Sequence, residues 1–331
     1  MSKGIYILPE ENFYKIYSPE TRKKIGDLIE IEDKSYNRNE IRNNLSLLND
    51  INFIFSGWGG PELDKEILDA APELEVMFYG SGSIKGIVTE EFWKQDIIIS
   101  SAWVANAVPV AEYTLSQILF SLKRGWYYVL ETRRQGQYPE KVEVPGAYGS
   151  TVGIISLGMI GKKVCRHLKD FDINVIAYDP YVSEEVAEEL GVELCSTLEE
   201  VFEKSDVVSL HTPWLEETEG MIKGEHFSVM KENSTFINTA RGAVVREKEM
   251  IEVLQQREDI YAVLDVTWPE PPEKDSPLYQ LPNVVLTPHI AGSQSKECWR
   301  MGQYMLNELE RYLEDKPLKW RITREKFEIM A

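Results

Sequence analysis

Short apolar, β-branched segments that alternate with longer segments of helical periodicity constrain the fold of this chain more than any other feature. Four of them occur in its N-terminal third: 4–8, 51–55, 75–79 and 97–99. The alternation predicts strands joined by helices, which is the pattern of an α/β layer. Ser18 followed by Pro19 gives the first helix a start signal, because serine caps a helix and proline suits its first position.

A second series follows, with six strand candidates at 152–156, 173–178, 206–210, 235–238, 260–266 and 284–287. Six strands separated by helices predict a doubly wound parallel sheet. Between the two series, residues 109–135 keep apolar residues at helical spacing for longer than a usual globular helix, so this segment is predicted to bridge two domains. Residues 293–313 predict one more helix, which returns the chain to the first series.

Length and charge restrict the class of protein further. A chain of 331 residues predicts about two domains, at roughly 150 residues each. The formal net charge of −19 disfavours nucleic acid as a partner, because such a surface needs clustered lysine and arginine. The three cysteines are too few and too scattered for a disulfide framework or a metal site, and no apolar run suits a signal peptide or a membrane span. A cytoplasmic protein without metal or membrane partners is therefore predicted.

The stretch STVGIISLGMIGK at 150–162 resembles a nucleotide-binding turn, G-x-G-x-x-G, with Ser156 in place of the first glycine. Gly158 would let the backbone approach a pyrophosphate, and Gly161 would let helix and strand pack closely. Asp179 follows the next strand, near the spacing expected for a carboxylate on an adenosine ribose, and its charge favours NAD over NADP. The alternative is that both glycines only shape a turn and that Asp179 ends a strand.

Three later strand ends carry Arg241, Glu270 and His289. Each alone has a structural explanation: an ion pair at the surface, an exposed residue in a proline-rich turn, and a buried histidine. Together they suit one reaction, because a guanidinium binds a carboxylate and polarises a carbonyl while a carboxylate-paired histidine transfers a proton. Of the other histidines, His211 is a candidate for the wall of the cofactor site, whereas His167 and His226 are predicted to be structural.

Motifs spread over nearly the whole chain carry a specific resemblance: NAVPVAEYTL, VGIISLGMIG, YDP, DVVSLHTP, INTARG, LDVTWPEPP and TPHIAG. In this order and at this spacing the chain resembles the D-isomer-specific 2-hydroxyacid dehydrogenase family. The resemblance implies two flavodoxin/Rossmann-like α/β domains, with an NAD domain at 104–293 inserted into a substrate domain at 1–103 and 294–331. It also implies NAD-dependent interconversion of a 2-keto acid and a D-2-hydroxy acid, by a homodimer that associates through the NAD domain.

The resemblance assigns roles to individual residues. Arg241 would bind the substrate carboxylate and carbonyl, His289 would be the acid/base, and Glu270 would pair with it. The implied cofactor contacts are Gly158, Met159, Ile160, Asp179, Thr212, Ala240 and Asp265, with Asp265 beside the nicotinamide carboxamide. The implied substrate contacts are Ser81, Gly82, Ser83 and Asn106. Residues 83–86 replace the Asp-Asn continuation usual in the family, so the substrate itself is not given by the resemblance.

Two further residues bear on the choice of reaction. Trp58 follows a strand of the first series and is either a core-packing residue or a pocket residue. As a pocket residue it favours a bulky apolar keto acid over phosphoglycerate, whose phosphate would require a basic residue. Glu270 argues against formate oxidation, because that branch of the family has glutamine at this position. An alternative from another class is an NAD(H)-sensing binding protein, like the corepressors that share this fold; turnover would distinguish the two.

Overall fold

The computed structural model describes residues 1–328 and contains two compact units. Unit 1 comprises Met1–Ala107 together with the segment that starts at Ser293, and unit 2 comprises Val108–Gly292. The first boundary between the units lies between residues 107 and 108, whereas the sequence predicts it between residues 103 and 104. The second boundary lies between residues 292 and 293, whereas the sequence predicts it between residues 293 and 294. The last three residues of the predicted segment 294–331 lie outside the described residues.

The described residues form thirteen strands, most of them four or five residues long. They are β1 Gly4–Ile7, β2 Ser35–Tyr36, β3 Phe53–Ser56, β4 Val76–Tyr79, β5 Ile98–Ser101, β6 Thr151–Ile155, β7 Asn174–Tyr178, β8 Glu193–Leu194, β9 Val207–Leu210, β10 Thr235–Asn238, β11 Tyr261–Leu264, β12 Val284–Leu286 and β13 Arg321–Ile322.

Thirteen α-helices connect and cover these strands. They are α1 Glu10–Ile16, α2 Pro19–Leu28, α3 Arg38–Asn43, α4 Lys65–Ala70, α5 Trp103–Leu122, α6 Gly125–Gln135, α7 Met159–Leu168, α8 Glu184–Leu190, α9 Leu198–Lys204, α10 Gly224–Ser228, α11 Glu247–Gln256, α12 Cys298–Leu313 and α13 Arg324–Glu328. Among residues 1–328, no helix has both the length and the apolar character needed to cross a membrane.

Unit 1 is built on a six-stranded sheet of order β13-β5-β4-β3-β1-β2. Its strands are parallel except β13, which pairs antiparallel with β5. The four central strands are almost entirely buried, because helices cover both faces of the sheet. Ser18 caps α2 through a hydrogen bond from the backbone N–H of Thr21, with Pro19 in the first turn, which confirms the predicted start signal.

Unit 2 is built on a seven-stranded, all-parallel sheet of order β12-β11-β10-β9-β6-β7-β8. The order runs in both directions from β6, which confirms the predicted doubly wound arrangement. The six predicted strands are all present. The sheet also contains β8, which was not predicted. This strand has only two residues and no apolar run, so the sequence carries no signal for it.

The predicted helix at 109–135 is wrong as a single helix. The structure has two helices, α5 and α6, separated at Arg124, whose backbone is left-handed with φ 49°. A Cβ at Gly125 would overlap the ring of Phe120, so the glycine permits the close return of the chain. The boundary between the units falls inside α5.

The predicted C-terminal helix begins later than expected, because a 3₁₀ turn at Ser295–Glu297 precedes α12.

Candidate active site

The turn after β6 places Ser156 in the left-handed region, with φ 73°. Residue 156 therefore has the positive φ that favours glycine, and the sequence alone did not reveal this. The Ser156 Oγ lies 2.8 Å from the Oγ1 of Thr212, at the end of neighbouring strand β9. The serine thus ties two adjacent strand ends together, although it lacks the conformational freedom of glycine.

The rest of the turn fits a dinucleotide phosphate. Gly158 caps α7 and is exposed, and a Cβ at Gly158 would meet nothing, which leaves the backbone open to a ligand. A Cβ at Gly161 would overlap the carbonyl oxygen of Ser156, so only glycine allows the helix to pack on the turn. Met159 and Ile160 are half-buried in the first turn of α7, whose free N–H groups and positive dipole end suit an anion.

Asp179 lies at the end of β7, beside the turn. Its Oδ2 accepts a hydrogen bond from the N–H of Leu157 at 2.7 Å, and its Oδ1 accepts one from the N–H of Tyr181 at 2.9 Å. The carboxylate is half-buried, and each oxygen retains a lone pair for another donor. Asp179 therefore holds the turn in place and can still accept hydrogen bonds from a ribose.

Arg241 follows β10 on a backbone that is fixed by Asn238. The Asn238 Oδ1 accepts from the N–H of Ala240 at 2.9 Å, and its Nδ2 donates to the carbonyl of Arg241 at 3.2 Å. The Arg241 Nη1 donates to the carbonyl of Ala240 at 2.7 Å, and the guanidinium has no ion pair among the residues that the structure describes. Burial lowers the pKa of Arg241, and the charge of Glu270 opposes this. An incompletely paired guanidinium of this kind can receive an anionic ligand.

Glu270 and His289 are brought together by the loops that follow β11 and β12. The Oε1 of Glu270 lies 2.7 Å from the Nδ1 of His289, and their side chains are 40% and 48% exposed. The pair is therefore open to a ligand. When the Nδ1 of His289 carries a proton, it donates this proton in a hydrogen bond to the Glu270 carboxylate. The Nε2, on the other side of the ring, then points away from Glu270. His289 has φ 53°, an uncommon backbone for a residue other than glycine, and such outliers concentrate at functional sites.

Asp265 fixes the loop that carries His289. This carboxylate is 2% exposed and accepts hydrogen bonds from the Oγ1 of Thr287 at 2.6 Å and from the N–H groups of Ile290 and Ala291 at 2.9 Å. Its backbone carbonyl accepts from the N–H of His289 at 3.0 Å. The structure therefore gives Asp265 a positioning role, which the sequence did not predict. The role of Asp265 beside nicotinamide stays a prediction.

Thr212 and Ala240 are buried just after the ends of β9 and β10. Strand β9 is the neighbour of β6, which leads into the glycine turn, and Ala240 directly precedes Arg241. His211 is also buried; its Nε2 contacts the Oγ of Ser209 at 3.0 Å, and burial lowers its pKa to about 3. The imidazole is therefore neutral at ordinary pH. It lies in the protein interior at the strand end.

The predicted substrate loop in unit 1 is held by Ser101, whose Oγ contacts the carbonyls of Ser81 and Gly82 at 2.9 and 2.6 Å. Ser81 is buried, whereas Ser83 is exposed. Asn106 accepts a hydrogen bond from the N–H of Ser293 at 2.9 Å, so its Oδ1 joins the two segments of unit 1. These contacts fix the loop and Asn106, and substrate binding by Ser81, Gly82, Ser83 and Asn106 stays a prediction.

Among the described residues, His226, Glu199 and Glu225 place their potential ligand atoms within 4.8 Å of one another. The His226 Nδ1 accepts from the N–H of Lys223 at 2.9 Å, so the imidazole proton is on Nε2, which faces Glu199 at 3.5 Å. Both nitrogens thus contact groups of the protein, and the structural role of His226 stays a prediction. The prediction that the protein binds no metal remains a prediction.

The structure reveals two supporting residues that the sequence analysis missed. Glu247, in the first turn of α11, accepts a hydrogen bond from the N–H of Trp268 at 3.2 Å, and Tyr113 pairs its hydroxyl with the Oγ1 of Thr287 at 3.1 Å. Both act on the loops that present Glu270 and His289. No local motif marks Glu247. Tyr113 lies in the motif NAVPVAEYTL, but nothing in that motif reveals its partner, because each contact joins segments that are distant in sequence.

A glycine turn at the N-terminus of a helix, on a doubly wound parallel sheet, defines unit 2 as a dinucleotide-binding domain. Residues 116–291 match the sequence model of the family described as "D-isomer specific 2-hydroxyacid dehydrogenase, NAD binding domain". The chain belongs to this family, and the matched segment is its NAD-binding domain.

Individual relatives agree with this assignment. The chain is similar to a D-3-phosphoglycerate dehydrogenase of Methanocaldococcus jannaschii, with 32% identity over 77% of this chain and 48% of that protein, so it spans about half the length of that relative. A glyoxylate reductase of Korarchaeum cryptofilum is 33% identical over 75% of either chain. The NAD-complexed D-isomer specific 2-hydroxyacid dehydrogenase of Lactobacillus delbrueckii ssp. bulgaricus has the same fold, with a TM-score of 0.80, 22% identity and coverage of 98% and 100%.

Proposed function

We propose that the protein is an NAD-dependent D-2-hydroxyacid dehydrogenase, which reduces a 2-keto acid to the corresponding D-2-hydroxy acid and catalyses the reverse reaction. The observation that carries the proposal is the Glu270–His289 contact of 2.7 Å in the same unit as the incompletely paired guanidinium of Arg241. A carboxylate-paired imidazole and a guanidinium are the groups that reduction of a keto acid requires.

In the proposed mechanism, Arg241 binds the substrate carboxylate and polarises the C2 carbonyl. The Nε2 of His289 donates a proton to the oxygen that forms at C2, and Glu270 stabilises the imidazolium through Nδ1. Bound NADH supplies the hydride to C2. In the reverse direction the same Nε2 accepts the hydroxyl proton, so His289 alternates between acid and base.

Gly158, Met159, Ile160, Asp179, Thr212 and Ala240 are proposed to bind NAD. Support comes from the open backbone at Gly158 and from the position of Asp179 beside the turn. Asp179 would accept from the ribose hydroxyls and repel the additional phosphate of NADP. Ser81, Gly82, Ser83, Asn106 and Trp58 are proposed to contact the substrate. The family resemblance supports Ser81, Gly82, Ser83 and Asn106, and the position of Trp58 after a strand of unit 1 supports Trp58.

A homodimer and a cytoplasmic location complete the proposal. Large apolar side chains are exposed on and after the helices α5 and α6, with Phe120 39%, Val129 48% and Val142 37% exposed. A second copy of the chain would cover such side chains in unit 2. The three cysteines are free and buried, as suits a reducing compartment. Sedimentation equilibrium would report the dimer as twice the chain mass; a monomer at all concentrations would contradict it.

The activity is tested by following NADH consumption with a panel of 2-keto acids and by determining the configuration of the hydroxy acid formed. The proposal predicts turnover of at least one keto acid with a D product, and no oxidation of formate. An L product would contradict the stereochemical assignment. Tight NADH binding without turnover of any keto acid would instead favour the NAD(H)-sensing binding protein.

A further inference from the structure

The part of α5 that belongs to unit 2 packs against the seven-stranded sheet. Its apolar side chains Ala111, Ile118 and Leu122 are buried at helical spacing, in one cluster with side chains of β10, β11 and β12. Thr114 lies on the same side of the helix and is fully buried. Because a buried hydroxyl needs a hydrogen-bond partner, α5 makes polar as well as apolar contacts with the strands that it covers.

Two consecutive hydroxyl groups of α5 contact the ends of two different strands. The Tyr113 hydroxyl lies 3.1 Å from the Oγ1 of Thr287, which directly follows β12. The Thr114 Oγ1 lies 3.0 Å from the Oγ1 of Thr239, which directly follows β10. Strand β11 lies between these strands in the sheet, so the two strand ends are not neighbours. Consecutive side chains of a helix point about 100° apart, which allows one turn of α5 to reach both.

Both threonines stand at the same distance in sequence from a residue of the proposed site. Thr239 precedes Arg241 by two positions, and Thr287 precedes His289 by two positions. Helix α5 is therefore joined to the start of the loop that presents the guanidinium and to the start of the loop that presents the imidazole. All of these contacts lie within unit 2.

The contact of Tyr113 has a defined direction. The Thr287 Oγ1 donates its proton to the Oδ1 of Asp265 at 2.6 Å, so its oxygen has to accept from the Tyr113 hydroxyl. Burial raises the pKa of Tyr113, which keeps the phenol protonated and able to donate. The chain thus runs from Tyr113 through Thr287 to the carboxylate that holds the loop of His289, and hydrogen bonds linked in this way strengthen one another.

We propose that Tyr113 and Thr114 are positioning residues, which fix the guanidinium and the imidazole of the proposed site relative to each other. This inference rests on the proposed function, in which Arg241 binds the substrate and His289 transfers a proton to the same molecule. The two groups have to keep their spacing, because a displacement of about 1 Å can cost about 10²-fold in rate. A helix that packs on the sheet and bonds to both loops maintains this spacing.

The test removes each hydroxyl and retains the shape of the side chain. Tyr113→Phe and Thr114→Val are the two variants, and Thr114→Ser is the conservative variant that keeps a hydroxyl. Ser121→Ala is the matched control, because the Ser121 Oγ is also buried on α5 but has no hydrogen-bond partner among the described residues. Steady-state NADH consumption with a 2-keto acid gives kcat and KM, and thermal unfolding verifies that each variant is folded at the assay temperature.

We expect Tyr113→Phe to lower kcat by about threefold to tenfold while KM for the keto acid changes little, because the variant loosens the loop of the acid/base. Thr114→Val should instead raise KM for the keto acid by a similar factor, because it loosens the loop of Arg241. Thr114→Ser should retain most of the wild-type KM, and Ser121→Ala should behave as wild type.

Wild-type kinetics in Tyr113→Phe or in Thr114→Val would overturn the positioning role of that residue. Equal losses in Thr114→Val and Thr114→Ser would also overturn it for Thr114, because they would trace the effect to packing rather than to the hydroxyl. If the wild type binds NADH but turns over no keto acid, the proposed function is refuted and the positioning role with it.

Discussion

Ser156 shows how a side chain can occupy a backbone position that favours glycine. Its left-handed conformation costs of the order of 1 kcal/mol relative to glycine. Its hydroxyl contact with Thr212, at 2.8 Å, contributes about as much, because a typical buried hydrogen bond is worth about 0.5–1.5 kcal/mol. The strain and the hydrogen bond therefore nearly cancel, and the motif keeps its shape without its first glycine.

A double-mutant cycle tests this compensation. Ser156→Gly should change the free energy of unfolding of the apo protein by less than about 1 kcal/mol. Thr212→Val should cost about 1 kcal/mol in the wild type, because it removes the hydroxyl partner, and clearly less when residue 156 is already glycine. Urea unfolding of the four proteins measures the coupling. Equal costs of Thr212→Val in both backgrounds would show that the hydroxyl contact does not contribute.

His211 makes stability depend on pH. Burial lowers its pKa to about 3 from 6.5, so the unfolded chain takes up a proton first as the pH falls. The contribution of neutral His211 is complete above about pH 6.5 and is lost toward pH 3, by about 1.4 kcal/mol per unit within that window. Urea unfolding of wild type and His211→Asn between about pH 7.5 and 5 should give a steeper loss in the wild type. Parallel curves would refute this role.

At the scale of residues, the sequence identifies chemical groups better than backbone conformations. Arg241, Glu270 and His289 were selected because their chemistry is complementary and because each follows a predicted strand. The positive φ values of Ser156 and His289 could not be predicted, since they result from contacts with other segments: Thr212 for Ser156, and the backbone carbonyl of Asp265 for His289.

At the scale of elements, the loop after β12 owes its shape to a single buried carboxylate. Asp265 accepts three hydrogen bonds from this loop, two of them from backbone N–H groups that have to be satisfied inside the protein. Since His289 lies between Thr287 and Ile290, these contacts fix both ends of the segment that presents the imidazole. The acid/base is therefore oriented by a neighbouring strand end as well as by Glu270.

Replacement of Asp265 tests the support of this loop. Asp265→Ala should lower the free energy of unfolding of the apo protein by about 2–4 kcal/mol, because it leaves buried donors without an acceptor. Asp265→Asn should cost less, since one carbonyl oxygen remains. Calorimetric unfolding without NAD separates this effect from any loss of cofactor contacts. An alanine variant as stable as the wild type would contradict the positioning role.

Strands that carry an apolar run of three or more residues were predictable, whereas two-residue strands and the break inside a long periodic segment were not. The ten strand candidates are present because each carries an apolar run that both faces of a covered sheet require. Strands β2, β8 and β13 have two residues each and no such run. The break between α5 and α6 was missed because apolar spacing continues across it, although Gly125 was visible in the sequence.

At the scale of the whole molecule, the two units differ in how much of their function the sequence reveals. Unit 2 carries the motifs that mark an NAD-binding domain of its family, so its turn and its strand ends can be read from a single chain. Unit 1 is proposed to contact the variable part of the substrate. Its residues 83–86 depart from the continuation usual in the family, so the substrate cannot be read from the sequence.

His289 is proposed to transfer the proton in an NAD-dependent reduction, and the proposed function depends on this step. The most direct measurement is kcat for wild type and His289→Gln with the best keto acid of the panel, together with the NADH dissociation constant of each. His167→Gln, on α7, is the matched control. We expect His289→Gln to lower kcat by about 10² to 10⁴-fold while NADH binding changes little, and we expect His167→Gln to behave as wild type. Undiminished turnover in His289→Gln would contradict it.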